Sequence, residues 1–405
     1  MATKRFPEKR FNPQGIIKQH MVKSINSNEL TELLKDLVKI DSVNPSLVPG
    51  AAGEAEIASY LRDWMQSLGL ETELVAVEPG RPNVVGTLRG SGGGKSLMLN
   101  GHTDVVGVDY MTIDPFDPVI KDGKLYGRGS FDMKGGLASS MAAVKAVVDS
   151  GNQLRGDVII AAVCDEEFAS IGTEHLMKDT RVDAAIIGEP TYFNVQVAHK
   201  GFAWIDVTTH GFAAHGSMYQ LGVDAIAKMG HVLIGFEAMQ RILEETKHPL
   251  VGPGSIHASI ISGGAELSTY PDRCKLEAER RLIPGETRED VEEEMKGLIQ
   301  SLKEGDPKFN ADYEITFFRE SMEISPEEEI CQVLKQGSLE VLGKEPQWVG
   351  GSGWMDTQII HGKGIPAVAF GPSGFGAHGA EEWIDLDSVH KAAEVQEYVI
   401  RKFCA

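Results

Sequence analysis

The chain has 405 residues, of which 42% are apolar and 24% charged, and its formal net charge is −20. A length beyond what one hydrophobic core organises argues for two domains, and the ordinary composition excludes a largely disordered chain. The acidity opposes nucleic acid and anionic membranes as partners and favours cations; neither the opening MATKRFPEKRF nor any later run is apolar enough for a signal peptide or a bilayer span.

Residues 1–26 read as an extension, and helical periodicity begins near Asn28 with Leu30, Leu33, Leu34, Leu37 and Val38. Short apolar strands follow at 96–100, 158–163, 184–187 and 367–370, separated by helical stretches such as 137–148. That alternation predicts an α/β sheet with helices on both faces. Residues 195–320 read differently, as strand 203–209, helix 223–242, strands 256–261 and 274–282, helix 288–302 and strand 313–318. This βαββαβ order predicts a ferredoxin-like sandwich inserted into a larger domain made of 1–194 and 321–405. Cys164, Cys274, Cys331 and Cys404 are too scattered for a disulfide framework or a cysteine metal site, and a cytoplasmic protein is expected.

Four strands of the larger domain end in a group able to bind metal. SLMLN runs into Gly101-His102-Thr103-Asp104, VIIAAV leads to Asp165-Glu166-Glu167, AAII to Gly188-Glu189-Pro190, and AVAFG to the glycine-rich loop holding His378. A fifth group, Asp132 in GRGSFDMKGG, precedes a helix. In open α/β sheets ligands gather at the carboxyl ends of strands, where these groups can meet. A single histidine after a strand is usually a structural hydrogen-bond donor, and adjacent acids are usually a solvated loop. Their joint appearance at successive buried strand ends points instead to zinc, which accepts imidazole nitrogen and carboxylate oxygen. The His102-x-Asp104 spacing puts both side chains on one side of an extended segment, where the Asp104 carboxylate could take the ring N–H turned away from the metal.

GHTDVV, GRGSFDMKGG, DEE, GEPT, GGSGW and GAHG, in this order, resemble the family of two-zinc enzymes that includes acetylornithine deacetylase, succinyl-diaminopimelate desuccinylase, aminoacylase and glutamate carboxypeptidase. The similarity covers nearly everything after residue 27. It implies two Zn2+ per subunit, with Co2+ as a substitute, and a lid and dimerisation domain at the inserted segment. Asp132 would bridge the two ions, His102 and Glu189 would complete one site, Glu167 and His378 the other, and Glu166 would be the general base. A cis peptide between Asp132 and Met133 is implied as well. Arg281, in R-L-I-P, would hold a substrate carboxylate; by itself it reads as a surface strand arginine. Ser268 stands where the family often has asparagine, and Asp356, in GGSGWMDT, would support the site. His215, otherwise a cap on the next helix, would reach into a partner's active site and steady an oxyanion. His175, His199, His231, His257 and His361 lie off these motifs and read as structural or exposed.

The resemblance therefore implies a metal-dependent amidohydrolase cleaving N-acyl amino acids, acting as a homodimer through its lid on a small-molecule substrate. A dipeptidase or carboxypeptidase with the same site is the rival within catalysis. A catalytically silent zinc-binding regulator would have no need of Glu166 beside Glu167, and a nucleotide-binding domain lacks a GxGxxG or Walker loop.

Overall fold

The computed structural model describes residues 25–151 and 153–405. The expected extension falls, up to residue 24, outside the described residues. Helix α1 (Ser27–Lys39) starts where the Asn26 side chain accepts the N–H groups of Asn28 and Glu29, and its Leu30, Leu33, Leu34, Leu37 and Val38 form a buried stripe. After α2 (Ala55–Ser67) come β1 (Glu71–Glu78), β2 (Arg81–Leu88) and β3 (Leu97–His102), then α3 (Gly135–Asp149), β4 (Val158–Val163), β5 (Ala184–Ile187) and β6 (Val195–His199). The chain then leaves the large sheet for β7 (Gly201–His210), α4 (Ala225–Leu243), β8 (Ser255–Gly263), β9 (Arg273–Leu282), α5 (Arg288–Gly305) and β10 (Ala311–Arg319). It returns through β11 (Met322–Glu323), α6 (Glu329–Leu342), β12 (Trp348–Gly351), β13 (Ala367–Ala369) and α7 (Leu386–Phe403).

The large sheet is mixed, in the order β1-β2-β4-β3-β5-β13-β6-β11, with β12 beside β6. Its centre, β4-β3-β5-β13, is parallel, and the register sets His102 level with Val163, Asn100 with Ile187, and Ile187 with Ala369. The loops leaving these strands therefore start from one edge. Every residue of β3 is buried, as a strand covered on both faces requires. Leu97 and Leu99 pack on one side with Leu137 and Met141 of α3, while Met98 points to the other, toward Ile359 and Ile360 of the short helix Thr357–His361.

The inserted segment folds as an antiparallel sheet ordered β8-β9-β7-β10, with α4 and α5 on one face. It has its own core, including Ile205, Val207, Met229, Val232, Leu276 and Met295. Residues 195–199, expected within this segment, instead form β6 of the large sheet: Val195, Val197 and Ala198 are buried there, beside β12, β13 and β11. The small sheet begins at Gly201. Its face away from the helices carries Phe202, Trp204 and Phe317 near the crossing to the large body, and the Trp204 ring lies 6.1 Å from that of Phe168, the residue after Glu167. No helix among the described residues is long and apolar enough to cross a membrane.

Candidate metal centre

The loops leaving β3, β4, β5 and β13, with the turn before α3, bring six side chains together. His102, at the end of β3, is 1% exposed, and its Nδ1 lies 2.9 Å from the carbonyl oxygen of Asp104. That contact aims Nε2 at the carboxylates. The expected partner was the Asp104 carboxylate, but this lies 3.6 Å from the ring. Its oxygens instead accept the N–H groups of Glu166 (3.1 Å) and Glu167 (3.2 Å), so Asp104 shapes the next loop while its carbonyl orients the histidine.

Asp132 sits in the turn Ser130–Lys134 ahead of α3, and its peptide to Met133 is cis. Its two oxygens face different histidines: Oδ1 is 3.3 Å from Nε2 of His102, and Oδ2 is 3.5 Å from Nε2 of His378. Glu189 approaches His102 at 3.6 Å, and Glu167 approaches His378 at 2.8 Å. Two groups result, His102–Asp132–Glu189 and Asp132–Glu167–His378, and within each the ligand atoms all lie within 4.8 Å of one another. Glu166 belongs to neither group, with Oε2 3.9 Å from His102 Nε2. The His378 side chain is 55% exposed, which leaves the site open on that flank.

Burial and mutual repulsion dominate the electrostatics. Glu189 is pushed up to about 8 and Glu167 to about 7, first by burial and then by the charge of Asp132. Glu166 is raised well above the carboxylate range by burial, against the pull of His102 and with the push of Glu189. Burial alone would keep the His102 ring neutral, but the Asp132 bond and the charges of Glu189 and Glu166 prevail and raise it. His378 is raised by its bond to Glu167. Burial disfavours the Asp132 anion, yet His102 and His378 hold it below its ordinary range. Buried acids that repel one another beside two imidazoles fit divalent cations, which would offset that repulsion. The imidazole and carboxylate donors, in two sets sharing one aspartate, suit two such ions.

Glu382 was not foreseen. It is fully buried and accepts the N–H groups of Phe131 (2.8 Å), Asp132 (3.0 Å) and Gly129 (3.0 Å), thereby holding the turn that carries Asp132. It pairs with buried Arg128 at 2.7 Å, and Arg128 also donates to the carbonyl of Gly379, next to His378. Nothing in the run Glu381-Glu382 distinguishes this acid from its neighbour.

Asp356 is buried and hydrogen-bonded to the Thr173 hydroxyl, and burial pushes it up to about 6. Arg281 lies on the open face of β9, its Nε donating to Glu279 at 2.6 Å and its guanidinium 5.2 Å from the Phe202 ring centroid. His215 and Ser268 come together apart from the six: His215 bridges to Thr269 and binds the Ser217 hydroxyl at 2.9 Å, and the Ser268 carbonyl accepts the N–H of Gly216. His215 is exposed and belongs to neither metal group. His199 is buried, with Nδ1 donating to the Lys200 carbonyl, and burial pushes it down to about 4.

A family model described as peptidase family M20/M25/M40 matches residues 98–402. Among curated proteins, the chain is 27% identical over 417 residues to the N-formyl-4-amino-5-aminomethyl-2-methylpyrimidine deformylase of Bacillus subtilis, a match covering 94% of this chain and 96% of that protein. It is likewise 27% identical over 391 residues to the acetylornithine deacetylase of Vibrio campbellii, covering 92% of this chain and 98% of that one. Among solved structures, the aminopeptidase PepT of Bacillus cereus superposes with a TM-score of 0.76 at 21% identity, over 94% of this chain and all of that one.

Proposed function

The chain belongs to peptidase family M20/M25/M40, hydrolases of amide bonds, and we propose that it removes a small acyl group from an N-acylated amino acid with two Zn2+ in its site. The observation that carries this is the division of Asp132, one oxygen toward His102 and Glu189 and the other toward His378 and Glu167, with Glu166 outside both groups. Asp132 would bridge the ions, His102 and Glu189 would hold one, and Glu167 and His378 the other. Zinc suits this donor set, and cobalt would substitute for it. The ions would supply Lewis acidity that acidifies water and polarises the scissile carbonyl. Glu166, a carboxylate raised out of its ordinary range, would take the proton of the attacking water and pass it to the leaving nitrogen. Arg281, its fork steadied by Glu279 and Phe202, would hold the substrate carboxylate, with Asp356 buttressing the site from behind.

A homodimer through the inserted domain is part of this proposal. Among the described residues strand β8 is an edge of the small sheet, and it exposes Ile260 and Ile261 beside the exposed Ile226 and Ile234 of α4. Unpaired backbone flanked by apolar side chains favours pairing with a second copy. His215, exposed next to Ser268, would then enter the partner's site and steady the oxyanion, with Ser268 as a neighbouring substrate contact. The four unpaired cysteines suit a reducing, cytoplasmic setting.

The relatives named above are a deformylase and a deacetylase, so small acyl groups head the test. N-formyl, N-acetyl and N-succinyl amino acids should be assayed beside dipeptides, with metal content measured and activity followed through chelation and Zn2+ or Co2+ return. Turnover of acylated amino acids that is lost with the metal and regained with it is expected. Preference for dipeptides, or full activity in a metal-free preparation, would contradict the proposal.

A further inference from the structure

We infer that Arg81 is a positioning residue of this site, anchoring through Asp165 and Asn44 the turn that presents Glu166 and Glu167. The inference rests on the proposed roles of those two glutamates as base and ligand. Arg81 opens β2, which runs antiparallel to β4 with Val84 opposite Ala162, so the first residue of one strand comes beside the loop leaving the other. It is 5% exposed, and its guanidinium serves several acceptors at once. Nη2 lies 2.8 Å from Asp165 Oδ1 and 3.1 Å from Asn44 Oδ1, Nε donates to Glu54 Oε2 at 3.0 Å, and Nη1 donates to the Ser46 hydroxyl at 2.8 Å.

The connection continues to the site in two branches. Asn44, fully buried, donates from Nδ2 to Asp165 Oδ1 (3.1 Å) and to Asp104 Oδ2 (2.8 Å), and Asp104 holds the N–H groups of Glu166 and Glu167. Asp165 Oδ2 accepts the N–H groups of Ala169 (3.2 Å) and Ile171 (3.4 Å) on the far side of the same turn. Asp165 itself takes a left-handed backbone, φ 69°, uncommon for a residue other than glycine and held here by these bonds. Glu54, Asp104 and Asp165 are all buried, and among the described residues Arg81 is the cation bonded to two of them and, through Asn44, linked to the third. Buried charges persist only when paired and hydrogen-bonded. A planar fork with five N–H donors fixes the directions of several acceptors, which a lysine ammonium cannot do.

If the cluster served only to balance Glu54, disturbing it would lower stability and leave the glutamates where they are. The test compares full-length Asn44→Ser, Arg81→Lys and Arg81→Met proteins with the parent. It reads the thermal midpoint, amide-hydrogen exchange across residues 165–171 without metal, Zn2+ affinity by chelator competition, and kcat and KM on an N-acetyl amino acid. Asn44→Ser should keep its midpoint within a few degrees while exchange in the turn quickens and Zn2+ affinity at one of the two sites falls ~10–100-fold, the usual effect of losing a group that orients a ligand. kcat should fall in parallel with KM nearly unchanged, and Arg81→Lys should lie between the parent and Arg81→Met. Asn44→Ser leaves Arg81 paired with Glu54 and Asp165, so it decides the matter even where Arg81→Met does not fold. Folded Asn44→Ser and Arg81→Lys proteins with parental exchange and parental Zn2+ affinity would overturn the inference. Exchange and Zn2+ binding need no turnover, so inactivity of the parent on acylated amino acids would count against the proposed substrate alone.

Discussion

At the scale of single residues, the site divides its acids by environment. Glu167 and Glu189 each sit in a metal group and Glu166 in neither, although Glu166 and Glu167 are adjacent in sequence. Glu166→Gln should therefore keep its full complement of metal while turnover falls by ~10²–10⁴-fold, the typical cost of removing a general base; parental turnover would remove Glu166 from that role. The raised carboxylates also give a pH signature. Glu167 and Glu189 have folded values of about 7 and about 8 against an ordinary 4.5, and the His102 and His378 rings are raised too. Groups raised on folding stabilise the fold at low pH and lose that contribution as pH climbs through the folded value. Metal-free protein should thus lose stability from about pH 4.5, the ordinary glutamate value, up to about pH 8, the folded value of Glu189, a loss that bound Zn2+ should suppress. Thermal midpoints across that range, with and without Zn2+, check it; a metal-free midpoint that rises with pH would contradict it. The residues of the two candidate metal groups stood out in sequence because each closes or follows a buried strand or lies in a glycine-flanked turn. The residues that orient them did not: Glu382, Arg81 and Asn44 act through contacts between segments far apart in the chain. Asp104 meets His102 as expected but through its carbonyl rather than its carboxylate, because two-residue spacing fixes a shared side but not which oxygen meets the ring.

At the scale of elements, the continuous apolar runs of β3, β4, β5 and β13 and the stripe of α1 were legible because burial on two faces, or along one, leaves a periodic trace. Strand β1 was not, since an exposed edge, ETELVAVE, carries no such pattern, and residues 195–199 were counted with the inserted segment because the sheet that a stretch joins leaves no mark in its own sequence. Packing between elements fixes the site as closely as the loops do. Helix α3 lies so near β5 that a Cβ at Gly136 would come within 1.7 Å of the Gly188 carbonyl oxygen, one residue before Glu189. A backbone oxygen cannot swing aside as a side chain can. Gly136→Ala should cost ~1–3 kcal/mol or more, as overpacking does, and should weaken Zn2+ binding along with stability. A thermal melt beside a Zn2+ titration checks this, and parental values for both would mean that α3 can shift without consequence.

For the whole molecule, the two bodies have separate cores, and the proposed dimer joins them across subunits: the large body holds the candidate metal groups, and the small one carries His215, a member of neither group. Glu166→Ala and His215→Ala proteins should each be nearly inactive. Unfolded and refolded together, they should recover at most roughly a quarter of parental activity, since random pairing makes half the dimers mixed and gives each mixed dimer one intact site. Mixed dimers without recovery, or an active monomer, would confine His215 to its own chain. The central claim, however, is that one aspartate serves two metal ions, and Zn2+ titration of metal-stripped protein tests it most directly. The parent should bind two ions per chain, Glu189→Gln and Glu167→Gln should each bind one tightly, and Asp132→Asn should bind neither with parental affinity. An Asp132→Asn protein that is folded and still takes up two ions as the parent does would contradict the account.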